Sequence, residues 1–142
     1  MAAIPRLELI ANEVIMAFEI KAPPIPIESM LQHPKPDMWE DLNPNQITSG
    51  FVISKGPYTT RMSLARYLAR HILDSAWGEK HDIGLAIQSN DDIRAFARML
   101  IMPLPMVKAL SEDARAPAMM SHHFEVPEAD AQQRLIELAD YL

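Results

Sequence analysis

The sequence predicts an α+β fold, several helices packed on a small sheet. Three observations carry that expectation. Thr59–Trp77 (TTRMSLARYLARHILDSAW) holds a helical period along its length. Ile47–Ser54 (ITSGFVIS) has the β-branched and aromatic content of a strand. Apolar runs of helical period also stand on either side of these two segments. The 142 residues suffice for one domain, taken as 1–142, with a sizeable core.

The elements follow in order. Pro5 suits the first position of a helix, where its missing N–H costs nothing. Leu7, Ile10, Ala11, Val14 and Phe18 then recur at i, i+3, i+4, i+7 and i+11. They predict about four turns ending near Lys21, with Glu8 and Glu13 toward solvent. Ala22–Asn45 carries Pro23, Pro24, Pro26, Pro34, Pro36 and Pro44, which exclude a long helix. A short helical turn fits Ile27–Leu31, and Met38 and Trp39 are expected to cap the core from this connector. After the strand at Ile47–Ser54, Lys55-Gly56-Pro57 is turn chemistry.

In the central helix Thr59 or Thr60 is a candidate N-cap. Leu64, Leu68 and Ile72, flanked by Ala65, Ala69 and Leu73, form its apolar face, and Gly78 is a stop signal. Arg66 and Arg70 lie four apart on one face. Like charges so placed repel by a few tenths of a kcal/mol unless an anion compensates them. Asp74, four beyond Arg70, is one candidate partner. The plain reading is a solvated, salt-bridged face; the sharper one is a site for a carboxylate or other anion.

A second short strand is expected at Ile83–Gln88. Asn90 then caps a helix whose first turn holds Asp91 and Asp92, where the helix dipole favours anions. Ile93, Phe96, Ala97, Leu100 and Ile101 make its apolar stripe, and Pro103 ends it. Leu104–Leu110 predicts a short helix, and Ser111 is a candidate cap for the next. Pro117 fits a first turn. Glu125-Val126-Pro127 is a turn before a last helix, Glu128–Leu142, with Ala131, Leu135, Leu138 and Tyr141 or Leu142 inward.

Composition narrows the function classes. The chain is 49% hydrophobic and 23% charged, with net charge −6, an ordinary globular balance. That charge disfavours nucleic-acid binding by the whole surface. With no cysteine there is neither a disulfide framework nor a thiolate ligand, in keeping with a reducing cytoplasmic compartment. No apolar run reaches the roughly 18 residues of a membrane helix, and the start lacks signal-peptide character. The five histidines are scattered. Adjacent His122 and His123 point about 100° apart on a helix and chelate poorly together. No G-x-S-x-G and no Gly-rich phosphate loop occurs.

Two stretches carry a family resemblance. LARYLARHIL resembles the metal-binding helix of the ImmA/IrrE family of small zinc-peptidase-like proteins, which reads roughly RFTLAHELGHLLL. Arg61 matches the family arginine, Met62 and Ser63 fall on Phe and Thr, Leu64–Ala65 match directly, and Leu68 is the leucine inside HExxH. The departures fall on the chemistry. Arg66 stands at the first metal-binding His, Tyr67 at the general-base Glu and Arg70 at the second His. HExxH needs two imidazoles on one face to hold zinc and a carboxylate to deprotonate its water. Arginine offers a cation no lone pair, so zinc cannot be held at these positions.

The second stretch, NDDIRAFARMLIMP, is similar to the family signature E-x-E-A-N-x-F-A-x-x-L-L-M-P. Phe96, Ala97, Leu100, Met102 and Pro103 agree in spacing. Asp92 is the best match to the Glu that supplies the third zinc ligand, and Arg94 replaces the usual Asn. The proline-rich connector PPIPIESML and the C-terminal HHFEVPEADAQQRLIEL also resemble family segments, so the likeness runs from about Leu7 to Leu138.

The resemblance implies a zincin-like ImmA/IrrE architecture and a bacterial or phage origin. It implies a pseudoenzyme with Arg66, Tyr67, Arg70 and Asp92 as vestigial site positions, no catalytic residue, no metal ligand and no cofactor. Arg66 or Arg70 is expected to pair with Asp92, Asp91 or Asp74 in place of the metal. Family members are typically encoded near helix-turn-helix repressors, which some of them cleave or inactivate. A protein partner of that kind is therefore implied for a non-catalytic regulatory or interaction protein. The alternative is a metal-dependent peptidase of the same type using an unrecognised metal site. A weaker alternative is DNA binding through the C-terminal helices. Glu112–Leu142 disfavours it, with seven acids against Arg115 and Arg134.

Overall fold

In the computed structural model the described residues are 3–39 and 56–142, and every regular element among them is a helix. In chain order these are α1 (Arg6–Ala17), α2 (Ile27–Gln32), α3 (Pro57–Asp74), α4 (Ala76–Lys80), α5 (Ile83–Ala86), α6 (Asn90–Ile101), α7 (Leu104–Ala109), α8 (Pro117–Phe124) and α9 (Glu128–Leu138). This corrects the α+β expectation and the zincin-like architecture with it, because there is no strand among the described residues. The strand expected at Ile47–Ser54 lies outside them. The one expected at Ile83–Gln88 is instead the single turn of α5, with Ile87 in extended backbone after it. A short apolar run fits either element, and only its surroundings decide.

Those surroundings are set by the end of α3. Ser75 closes α3, and its Oγ donates to the Ile72 carbonyl at 2.7 Å while accepting from the Gly78 N–H at 3.0 Å. The chain folds back so tightly that a Cβ on Gly78 would lie 2.1 Å from the Ile72 oxygen. Gly78 therefore does not stop the long helix. It is the residue that lets α4 turn against its end, and α5 follows with Ile83 buried and Leu85 exposed.

The α3–α6 pair is the centre of the molecule, and it is the most extensive helix pairing. Leu64, Leu68 and Ile72 from α3 and Phe96 and Leu100 from α6 belong to one core cluster, all at 0% exposure. Burying side chains of this size stabilises by about 1.5–3 kcal/mol each. α1 packs on α6 and α2 on α3, and α8 packs on α9. Trp39 covers the core as expected, and its Nε1–H donates to the Leu31 carbonyl at 3.1 Å. α3 starts at Pro57, two residues before the expected threonine caps, and Thr60 Oγ1 donates back to the Gly56 carbonyl. No helix among the described residues is long and apolar enough to cross a membrane.

Two arginines are buried as structural ties. Arg134 of α9 is fully buried, with Nη1 and Nη2 on the two carboxylate oxygens of Glu8 and Nε on the Met102 carbonyl at 3.0 Å. It joins α1, the end of α6 and α9. Glu8 was expected to face solvent; it is buried because Arg134 meets it there. Arg61 donates to the carbonyls of Ile25 at 3.0 Å, Glu125 at 3.1 Å and Phe124 at 3.3 Å, and lies 3.8 Å from the Glu28 carboxylate. Glu125 presents its carbonyl from a left-handed backbone turn at φ 57 that ends α8.

Candidate functional site: an arginine cleft between α3 and α6

Ser63, Arg66, Tyr67 and Arg70 follow one another at spacings of three, one and three, so they form one stripe of α3 beside its apolar face. Ile93 and Arg94 of α6 stand opposite. Together these six residues line a cleft of about 250 Å³. The three expected positions Arg66, Tyr67 and Arg70 are thus brought together, with a third arginine added from α6.

Asp92 is not part of that lining. The Ser89 side chain caps α6 by accepting from the Asp92 N–H at 3.2 Å, and Asp92 Oδ2 accepts from the Gln88 N–H at 2.9 Å. The cap expected at Asn90 therefore sits one residue earlier, in a reciprocal arrangement of the capping-box kind. A short aspartate satisfied at its own helix start has no reach left for α3. Arg94 pairs with Asp91 along α6 at 2.9 Å, both largely exposed.

The expected pairing of Arg66 or Arg70 with Asp92, Asp91 or Asp74 is corrected by what they do touch. Arg66 Nη2 donates to Ser63 Oγ at 3.0 Å, and Arg70 Nη2 donates to Asn90 Oδ1 at 3.3 Å. Neither guanidinium has a carboxylate within ion-pair distance among the described residues. Two like charges four apart on a helix thus face a cleft that holds a third, and only Arg94 has its own counter-ion.

A charged pair ties α6 to α9. Arg98 of α6 grips Glu137 of α9 with Nε at 3.1 Å and Nη2 at 2.7 Å. Asp130, in the first turn of α9, is half-buried. Burial pushes its carboxyl up from the ordinary value and Glu137 adds to that, while Arg66 and Arg98 pull it down. On α3, the Tyr67 and His71 rings meet edge to face at 4.5 Å. Burial holds His71 below its ordinary value, and Asp74 opposes that shift.

Sequence reading did not single out Arg98, Asp130 or Glu137. Their partners are set by how α9 docks, and the only local signal was a charged position at the edge of an apolar stripe. A separate hollow of about 320 Å³, beyond the end of α3, brings Asp74, Glu79 and Asp82 to one side. Among the described residues no group of three or more His, Cys, Asp or Glu side chains is placed to hold a metal ion.

The chemistry available in the cleft is donation and positive charge. Its polar lining is three guanidiniums and two hydroxyls. Among the described residues that line it there is no imidazole or carboxylate to act as a base and no thiol to act as a nucleophile. No family model, curated protein or solved structure matches the chain.

Proposed function

We propose that this is a non-catalytic regulatory protein that binds a protein partner through the α3–α6 cleft. The observation that carries the reading is the lining itself. Arg66 and Arg70, with Arg94 opposite, give the cleft fixed positive charge and hydrogen-bond donors where a hydrolytic site needs metal ligands or a general base. Arg is enriched where one protein binds another, because its planar fork recognises carboxylates and phosphates with defined geometry. The net charge of −6 supports a protein rather than nucleic acid as the partner.

The ImmA/IrrE resemblance of the α3 and α6 sequences supplies the partner class. That class is a helix-turn-helix repressor, which this protein would hold rather than cut. The test uses tag-free protein incubated with zinc and mixed with the repressor encoded nearest its gene. The expected result is a complex with intact repressor and far less than one zinc per chain. Stoichiometric zinc with cleavage of the repressor would establish the metal-dependent peptidase instead.

A further inference from the structure

We infer that the α3–α6 cleft takes a phosphate monoester carried on a polypeptide, the group of a phosphorylated serine or threonine side chain. This deepens the reading of the cleft as a partner-binding site and rests on it.

Donor capacity is the first argument. A guanidinium has five N–H donors. Among the described residues Arg66 and Arg70 each use one, on the neutral oxygens of Ser63 and Asn90. Arg94, which gives one N–H to Asp91, adds a third fork and Ser63 and Tyr67 add hydroxyls, all on one small cleft. A carboxylate has two oxygens, and a single arginine fork engages both. A phosphate monoester presents three strongly accepting oxygens and about −1.5 to −2 charges at pH 7. Several forks on adjacent turns match it, and a carboxylate leaves most of them unused.

The chain itself supplies the comparison. Asp130 acts electrostatically on Arg66 from α9. Arg66 nevertheless directs its bond to Ser63. The Asp130 carboxyl forms no ion pair with that guanidinium, whose other donors have no carboxylate partner among the described residues.

Size and surroundings narrow the carrier. A volume of about 250 Å³ equals roughly eight water molecules. It lies just under the range of about 300–1,000 Å³ typical of sites that enclose a drug-sized ligand. One head group on a short stem fits, with Ile93 and the Tyr67 ring beside the stem. The chain's net charge of −6 opposes polyanions. It tolerates one dianion at a local cluster of arginines, because charges beyond about 8–10 Å are largely screened at physiological salt.

The test measures binding of a pooled phosphoserine heptapeptide library to the full chain by fluorescence anisotropy at physiological salt. The same pool with serine, and with glutamate, at the central position serves for comparison, and inorganic phosphate is the competitor. The expected result is at least about tenfold tighter binding of the phosphopeptides than of either other pool, with competition by millimolar phosphate. Arg70→Ala, an exposed position, should lose about tenfold without changing the melting temperature. Arg66→Lys keeps the charge, loses the fork, and should also weaken binding. The remote Arg6→Ala should bind as the parent does.

Equal binding of glutamate and phosphoserine pools would overturn the phosphate assignment and leave the partner-binding reading standing. Binding of inorganic phosphate with no peptide preference would overturn the polypeptide carrier. No binding of any probe would overturn the inference. The repressor and zinc measurements would then still decide the function.

Discussion

Arg134 of α9 and Arg66 of α3 are the same residue type, yet they stand in opposite situations. Arg134 is fully buried, with a carboxylate on one side of its guanidinium and a carbonyl on the other. Arg66 is half-buried, and its one hydrogen bond among the described residues goes to a neighbouring serine. The first has every need met inside the chain and ties three helices together. The second shares an open cleft with Arg70 of its own helix and Arg94 of α6. A cation whose charge is matched internally does structural work. Arg66 and Arg70, four apart on α3 with no ion pair among the described residues, are kept at a cost of a few tenths of a kcal/mol in repulsion, and that cost points outward to a ligand.

The largest expected effect tests the buried side. Arg134→Ala leaves Glu8 charged and buried with no partner, and should destabilise by about 3–5 kcal/mol in urea unfolding. Replacing the pair together, Glu8→Leu with Arg134→Met, should recover most of that loss, because neither charge is then left alone. A double mutant as unstable as Arg134→Ala would show that the Met102 contact, not the ion pair, carries the tie.

Arg61→Ala comes next. It removes three hydrogen bonds to carbonyls and should cost about 1–3 kcal/mol by the same measurement. The cleft arginines should behave differently. Arg66→Ala and Arg70→Ala should each change stability by no more than about 0.5 kcal/mol, since they relieve repulsion and break only one bond to a neutral oxygen. A loss above about 1 kcal/mol for Arg70→Ala would erase the contrast between the two sets of arginines.

The smallest effect is a pH dependence at the boundary between them. The Asp130 carboxyl is raised above its ordinary value of 3.8, chiefly by burial. Between the unfolded and folded values the native state therefore binds more protons than the unfolded one. The stability contributed by neutral Asp130 is full below the unfolded value and is lost as pH rises through the folded one. Asp130→Asn should remove that decline, by under about 1 kcal/mol once solvent screening is allowed for. Urea midpoints measured from pH 3 to 7 read it directly. His71 has the opposite sign: its pKa is lowered, so its contribution is present above 6.5 and lost as pH falls through the folded value.

The features legible in the residues alone are local and periodic. The stripe Ile93, Phe96, Ala97, Leu100 and Ile101 is buried as its spacing required, and so are Leu64, Leu68 and Ile72. A period of 3.6 is written in neighbouring residues and needs no knowledge of the partner surface. Pro117 at the first position of α8 and the boundary at Pro103 were equally legible, because proline acts on its own backbone. The sequence also placed Arg66, Tyr67 and Arg70 together, since three- and four-residue spacings fix a helical stripe.

Tertiary structure alone decided the rest. Glu8 reads as a solvent-facing charge until Arg134, 126 residues away, meets it in the core. Asp92 reads as a partner for α3 until the Ser89 cap turns its carboxylate to Gln88. Ile83–Gln88 reads as a strand until Gly78 folds the chain back over α3. In each case the sequence names the group, and its partner depends on distances that only the packed chain sets. Charge and short-range propensity are properties of residues; compensation is a property of the fold.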